Sequence, residues 1–118
     1  MELLVEEKGD VRIVRVREAK LTYPVLSSFF AAVRQEIDGG AKRLVIDLSP
    51  VTYIDSASIG CLMDVHRLLQ EKSGALALSG LQPRVETMIS MTGVHKIIEV
   101  HPSEEAAVAA LRARKAEG

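Results

Sequence analysis

The residues best suited to carry chemistry are Asp55 and the two serines that follow it, Ser56 and Ser58. They lie where a predicted strand and loop lead into a predicted helix. A serine at the start of a helix commonly caps it, because the hydroxyl accepts from a free backbone N–H of the first turn. Those N–H groups and the positive end of the helix dipole also favour a phosphate group, which would add about −1.5 to −2 charge without unfolding the helix. Two interpretations of Ser56 are therefore open, a structural cap and a phosphorylation switch.

Other kinds of catalytic or binding site are not indicated. The chain has neither a G-x-x-x-x-G-K-[ST] phosphate loop nor a G-x-S-x-G nucleophile elbow. The single cysteine, Cys61, cannot form an internal disulfide and is expected to be a buried apolar residue. The histidines have no i,i+4 partner among themselves and no cysteine pair nearby, which argues against a zinc site: His66, His95 and His101. We therefore expect no metal, no cofactor and no enzymatic activity.

The elements that must position Ser56 follow from the apolar pattern and the glycine-rich turns. We predict strands over residues 3–5, 11–16, 44–48, 75–78 and 96–100, and helices over 23–37, 57–72, 83–92 and from Ser103 onward. This order predicts an α/β fold with a mixed, mostly parallel sheet of about five strands and about four helices. In the second strand the apolar phase slips between Ile13 and Val14, which indicates either a bulge or burial on both faces. Ser56 falls where a strand is followed by a helix, the place where such sheets bind ligands.

The composition of the chain limits the kind of partner that it can bind. The 118 residues are expected to form a single domain over 1–118, with 47% hydrophobic and 26% charged residues as in globular proteins. The net charge is −1, and the aromatics are only two Phe and two Tyr, so neither a positive field nor stacking platforms are available for nucleic acid. No apolar run approaches the roughly 20 residues that span a bilayer, and the amino terminus does not resemble a signal peptide. We expect a cytoplasmic protein that is not inserted in a membrane and contacts no nucleic acid directly.

Two surface features could recognise a protein partner. The predicted helix after Ser56 has an apolar arc of roughly 200°, whereas about 100° is enough to face a sheet. The excess residues, Ile59 and Met63, either form a docking edge or are covered by another helix of the same domain. A basic stretch is offset only by Glu18 and is either a solvated strand edge or a patch for an acidic partner: Arg12, Arg15, Arg17 and Lys20.

Several stretches resemble the STAS domain family of bacterial anti-sigma factor antagonists. Residues 44–49, LVIDLS, are similar to the family strand V-[VIL]-[LI]-D-L-[SD]. Residues 53–60, YIDSASIG, are similar to [FYI]-[IM]-D-S-[SAT]-G-[LI]-G at a helix start. Residues 78–85 and 91–98 and the helix start at Ser103 also resemble the family's later joints. The resemblance covers residues 43–111 well and the first 42 in outline, and it implies a single STAS-like domain.

The resemblance also implies site residues. Ser56 matches the serine that an anti-sigma kinase phosphorylates, and its neighbours are Asp55, Ala57, Ser58 and Gly60. Ser58 departs from the family glycine and offers a competing phosphoacceptor. A second departure lies at residues 19–22, AKLT, which lack the Gly and Asp of the family pattern G-x-[LI]-D. That loop lies near the phosphorylated serine in the family, so Thr22 joins Ile59 and Met63 as a candidate for partner binding.

The expected function is that of an anti-sigma factor antagonist switched by phosphorylation. It would bind an anti-sigma factor that is a serine kinase while Ser56 is unphosphorylated, and release it after phosphorylation. A serine phosphatase would reverse the switch. The alternative is a non-switching scaffold, or a nucleotide-binding or small-molecule-binding subunit, in a sensor or transporter complex. Incubation with the kinase and ATP separates the two, since only the first requires a phosphate on Ser56.

Overall fold

A computed structural model describes residues 1–117, with side chains through residue 114, and each of its four helices follows one or more strands. The strands are β1 Leu3–Lys8, β2 Val11–Val16, β3 Lys20–Leu21, β4 Arg43–Asp47, β5 Tyr53–Ile54, β6 Ala75–Ser79 and β7 Glu99–His101. The helices are α1 Leu26–Asp38, α2 Ser56–Glu71, α3 Pro83–Thr92 and α4 Glu104–Glu117. Short 3₁₀ turns, Tyr23–Val25 and Val94–Lys96, precede α1 and β7.

The main sheet has five strands in the order β1-β2-β4-β6-β7. The β1–β2 pair is antiparallel, and the other neighbours are parallel. This mixed, mostly parallel sheet with four α-helices confirms the predicted fold class. The second sheet, a two-stranded parallel pair of β3 and β5, is absent from the sequence prediction. Strands of two residues are too short to show an alternating pattern.

Helices cover both faces of the main sheet. The larger apolar cluster joins one face to α1, α2 and α3, and the smaller one joins the other face to α4 through Ala107, Val108 and Leu111. The slip of apolar phase in β2 follows from these two cores, because Ile13 lies in the smaller cluster and Val14 in the larger. The pairing of β2 with both neighbours is uninterrupted, so the burial is two-sided and there is no bulge at this point. Within residues 1–117, no helix combines the length and apolar character needed to cross a membrane.

Three predicted boundaries were wrong by three residues each. The first strand, expected over residues 3–5, extends to Lys8. The last strand was expected over residues 96–100, but residues 94–96 form a 3₁₀ turn and the strand is Glu99–His101. Gly93, at a φ of 78°, ends α3, and the N–H of Lys96 then bonds to its carbonyl at 3.1 Å. These residues therefore bond locally and do not pair with β6. The first helix begins at Leu26 and not at Tyr23, because Pro24 lies in a 3₁₀ turn that precedes it.

Candidate functional site

The start of α2 is built by a reciprocal hydrogen-bond pair between Asp55 and Ser58. Asp55 is the N-cap, and its Oδ1 accepts from the backbone N–H of Ser58 at 2.9 Å. The Ser58 hydroxyl accepts from the Asp55 N–H at 3.0 Å and donates to the Asp55 carbonyl at 2.7 Å. This capping box pairs two donors that a helix end would otherwise leave free. Of the two interpretations of Ser56, the structural cap is therefore wrong, since Asp55 caps the helix.

Ser56 is left free by this arrangement. It is the first residue of α2, its side chain is exposed, and no other group in the described part of the chain hydrogen-bonds its hydroxyl. Ser58 is fully buried, at 0% exposure, and its hydroxyl is held within the capping box. The surroundings of Ser56 are open, since Ala57 and Gly60 are both exposed and a Cβ added at Gly60 would meet no atom within 4 Å. Of the two serines, only Ser56 presents its hydroxyl to solvent.

Asp55 also ties α2 to the loop before α1. Its Oδ2 accepts from the backbone N–H of Tyr23 at 2.9 Å. Partial burial raises the pKa of the Asp55 carboxyl, but the hydrogen bonds from Tyr23 and Ser58 together outweigh it and lower that pKa. The Asp55 side chain is therefore a carboxylate with a backbone N–H on each oxygen.

The loop before α1 lies beside Ser56, as the resemblance implied. Lys20 pairs with Tyr53 and Leu21 with Ile54 in the β3–β5 sheet. The backbone N–H of Thr52 also bonds to the Ala19 carbonyl at 2.8 Å. Thr22 follows directly and is half-buried, next to the residue that bonds Asp55.

The loop before β5 is fixed from below by a buried carboxylate. Asp47, 6% exposed, accepts from the Ser79 hydroxyl at 2.9 Å and from the Ser49 hydroxyl at 2.8 Å. Gly80 has a φ of +70°, and a Cβ there would lie 2.5 Å from Ser49 Oγ. Only glycine fits this conformation and this close approach without strain. The Asp47 carboxylate thus joins the carboxyl ends of β4 and β6 where the segment that leads to Ser56 begins.

One strip of α2 carries Ser56 and both predicted docking residues. At 100° per residue, Ser56, Ile59 and Met63 fall within about 60° of one another. Ile59 and Met63 are half-buried and pack against the larger core while part of each side chain stays exposed. The sheet-facing stripe is supplied by buried Leu62, Val65 and Leu69, with Leu68 half-buried. The strip is defined here by Ser56, Ile59 and Met63.

An open groove of about 520 Å³ lies on the other side of the α2 start, between α1 and α2. Its α2 wall includes Ala57, Gly60 and Cys61, and burial together with Asp64 raises the pKa of the Cys61 thiol to about 11. The α1 wall consists of Tyr23, Pro24, Leu26, Ser27 and Phe30. Sequence reasoning missed this groove, because its walls are about 30 residues apart along the chain and only the tertiary fold brings them together.

Known proteins resemble this chain in sequence and in fold. The STAS domain profile matches residues 2–107. BtrV of Bordetella bronchiseptica, whose name assigns it to the anti-sigma factor antagonists, is 34% identical over 82 residues, which are 70% of this chain and 71% of BtrV.

Solved structures agree on the fold. An anti-sigma factor antagonist from Mycobacterium paratuberculosis matches with a TM-score of 0.85 at 24% identity, over 94% of this chain and 93% of that one. SpoIIAA in its unphosphorylated form matches with a TM-score of 0.80 at 18% identity, over 95% of this chain and 97% of SpoIIAA. The phosphorylated form of SpoIIAA, a Bacillus cell fate determinant, matches with a TM-score of 0.70 at 17% identity, over 92% of this chain and 98% of that one. From the profile match and the identity with BtrV, this chain belongs to the STAS domain family.

Proposed function

We propose that this chain is an anti-sigma factor antagonist whose binding is switched by phosphorylation of Ser56. The observation that carries the proposal is the division of roles at the start of α2. Asp55 and Ser58 cap the helix, so the exposed hydroxyl of Ser56 has no structural task. A phosphate can therefore be added there without removing any contact that holds the fold.

The proposed partner is an anti-sigma factor that is also the serine kinase acting on Ser56. The relatives support this choice, since BtrV is named for the anti-sigma factor antagonists and SpoIIAA has been solved with and without phosphate. A serine phosphatase would restore the unmodified form. The chain itself would be a binding protein and not an enzyme.

The switch would act through charge at the interface. A phosphate at a helix N-terminus is favoured by the free N–H groups and the dipole, so α2 stays intact. The same phosphate adds about −1.5 to −2 charge beside the Asp55 carboxylate. A partner that buries this surface would have to desolvate two adjacent anions, which weakens binding.

The proposed contact surface surrounds Ser56. It includes the strip with Ile59 and Met63, the half-buried Thr22 on the neighbouring loop, and the groove between α1 and α2. The groove offers apolar walls and the strip offers two part-exposed apolar side chains. Both kinds of surface are typical of the centre of a protein–protein interface.

The proposal is tested with the anti-sigma factor kinases of the source organism, each purified, incubated with the chain and Mg-ATP. Intact mass should show the addition of one phosphate to the wild type and to the control Ser28→Ala, which removes an exposed serine of α1. Ser56→Ala should take up none. Stoichiometric phosphorylation of Ser56→Ala would show that another residue is the phosphate acceptor. If no kinase phosphorylates the wild type, the result would favour a non-switching scaffold.

A second variant tests the effect of charge on the partner. Ser56→Asp should fold normally, since a carboxylate suits the first turn of a helix. Its affinity for the kinase that phosphorylates the wild type should fall about tenfold or more. Unchanged affinity of Ser56→Asp would show that this surface lies outside the interface.

A further inference from the structure

Three exposed side chains, Lys20, Tyr53 and Arg84, form what we call the cationic platform, and Tyr53 lies shortly before Ser56 along the chain. Lys20 and Tyr53 are register partners in the β3–β5 sheet. The next pair, Leu21 and Ile54, is buried at 0% and 1% exposure. Because side chains alternate along a strand, Lys20 and Tyr53 point together to solvent.

Arg84 is held over the ring of Tyr53. Its guanidinium carbon lies 5.4 Å from the centroid of the Tyr53 ring. The start of α3 is fixed in place by the Gln82 side chain, which donates to the Ser49 carbonyl at 2.7 Å. A guanidinium stacked on an aromatic ring keeps its planar donors free to bind a carboxylate in two places. Little conformational freedom then remains to be lost when an acid binds Arg84.

The charge of the platform is not neutralised by any side chain that the structure describes. Among side chains of residues 1–114, none places a carboxylate within ion-pair distance of Lys20 or Arg84. The neighbouring basic residues differ, since Arg12 bonds Glu36 and Arg15 bonds Glu104. Of the basic stretch in the sequence, Arg12 and Arg15 are therefore internal ion pairs, while Lys20 remains available.

The platform is close enough to Ser56 to be part of any interface centred there. Ser56 is the third residue after Tyr53, so the two Cα atoms are at most about 11 Å apart. An interface that buries about 800 Å² on each partner has a radius of roughly 16 Å. A kinase that brings its active site to Ser56 must therefore cover or border Lys20, Tyr53 and Arg84.

We propose that the cationic platform binds an acidic segment of the kinase and so selects which kinase acts on Ser56. This inference rests on the proposed function and adds the chemistry of the partner. It also gives the switch a second action, because a phosphate on Ser56 places negative charge beside Lys20 and Arg84. That phosphate offsets the attraction of the platform for the acidic segment and repels the segment itself.

The test is a charge reversal, Arg84→Glu, measured as affinity for the kinase that phosphorylates the wild type. At about 50 mM salt we expect binding about tenfold weaker than wild type, and at about 300 mM salt a clearly smaller loss, since exposed charges are screened. Lys96→Glu is the matched control. It makes the same change of charge at an exposed position in the 3₁₀ turn that follows α3, beyond the end of that helix opposite to Arg84, and should bind within about twofold of wild type. Arg84→Lys should keep part of the affinity.

The outcomes separate this inference from the proposed function. If the wild type binds and is phosphorylated but Arg84→Glu binds equally well at both salt concentrations, the proposed role of the platform is refuted while the proposed function stands. If Arg84→Glu binds normally and phosphorylation no longer weakens its binding, Arg84 holds the phosphate within the chain and the inference is wrong. If the wild type neither binds nor is phosphorylated by any of the kinases, the proposed function fails and this inference fails with it. Circular dichroism of Arg84→Glu checks that the fold is retained.

Discussion

The capping box makes a sharp prediction about three neighbouring side chains at the start of α2. Ser56→Ala should leave stability nearly unchanged, whereas Ser58→Ala and Asp55→Ala should both lower it. The reason is that no group in the described part of the chain hydrogen-bonds the Ser56 hydroxyl, while Ser58 and Asp55 bond each other in both directions.

The magnitudes follow from the contacts that each change removes. Ser56→Ala alters an exposed residue without a partner, so the free energy of unfolding should change by less than about 0.5 kcal/mol. Ser58→Ala leaves the Asp55 N–H without its acceptor at a buried position, for a loss of about 1–2 kcal/mol. Asp55→Ala removes the cap and also the bond from the Tyr23 N–H, for a loss of about 2–3 kcal/mol.

The assay is urea unfolding at pH 7, followed by circular dichroism. With a slope of about 2 kcal/mol per molar urea, Ser58→Ala should move the midpoint down by about 0.5–1 M, and Asp55→Ala by more. Ser56→Ala should unfold at the midpoint of the wild type.

An equal loss of stability in Ser56→Ala and Ser58→Ala would refute the reasoning. It would mean that Ser56 caps α2 in solution, and the central support for a freely modifiable serine would be gone. A normal midpoint for Asp55→Ala would likewise contradict the capping box.

Three further predictions concern other parts of the chain. Glu104→Gln should cost about 1–2 kcal/mol at pH 7, because hydrogen bonds from Arg15 lower the pKa of Glu104. A lowered pKa gives stability that is present above the unfolded value, so this difference should shrink as the pH of an unfolding series falls below about 4.3. Met63→Ala should lower the free energy of unfolding in urea by about 1–2 kcal/mol, less than the about 2–5 kcal/mol expected at a fully buried site, and should weaken kinase binding about tenfold. A larger loss of stability with intact binding would contradict the proposal that the strip contacts the kinase. Gly80→Ala should lower stability by about 1–3 kcal/mol, because its Cβ would lie 2.5 Å from Ser49 Oγ at a positive φ, and unchanged thermal unfolding would contradict this.

The main sheet and its helices could be predicted because their signals are local. The run from Leu44 to Leu48 is apolar except for Asp47, as expected for a strand buried on both faces, and α3 is bounded by Pro83 and Gly93. The β3–β5 pair could not be predicted, because its partners are two residues long and more than 30 residues apart. Pairings of this kind depend on tertiary contacts and not on periodicity.

The site was predicted as a segment but not in its details. Asp55, Ser56 and Ser58 are all residue types that can cap a helix, so the sequence does not say which of them does. Burial in the folded structure decides which residues cap the helix, since the Ser58 side chain is buried and the Ser56 side chain is exposed. The stacking of Arg84 on Tyr53 could not be predicted from the sequence either, because only the packing of α3 beside β5 brings these two segments together.

The measurement that tests the central claim most directly is the affinity of the unmodified and the phosphorylated protein for the same kinase. The two forms are prepared from one batch, the phosphate is mapped by mass spectrometry, and each is titrated calorimetrically against the kinase. We expect one phosphate, on Ser56, and binding weakened about tenfold or more in the phosphorylated form. Equal affinities of the two forms, or a phosphate on any residue other than Ser56, would contradict the account.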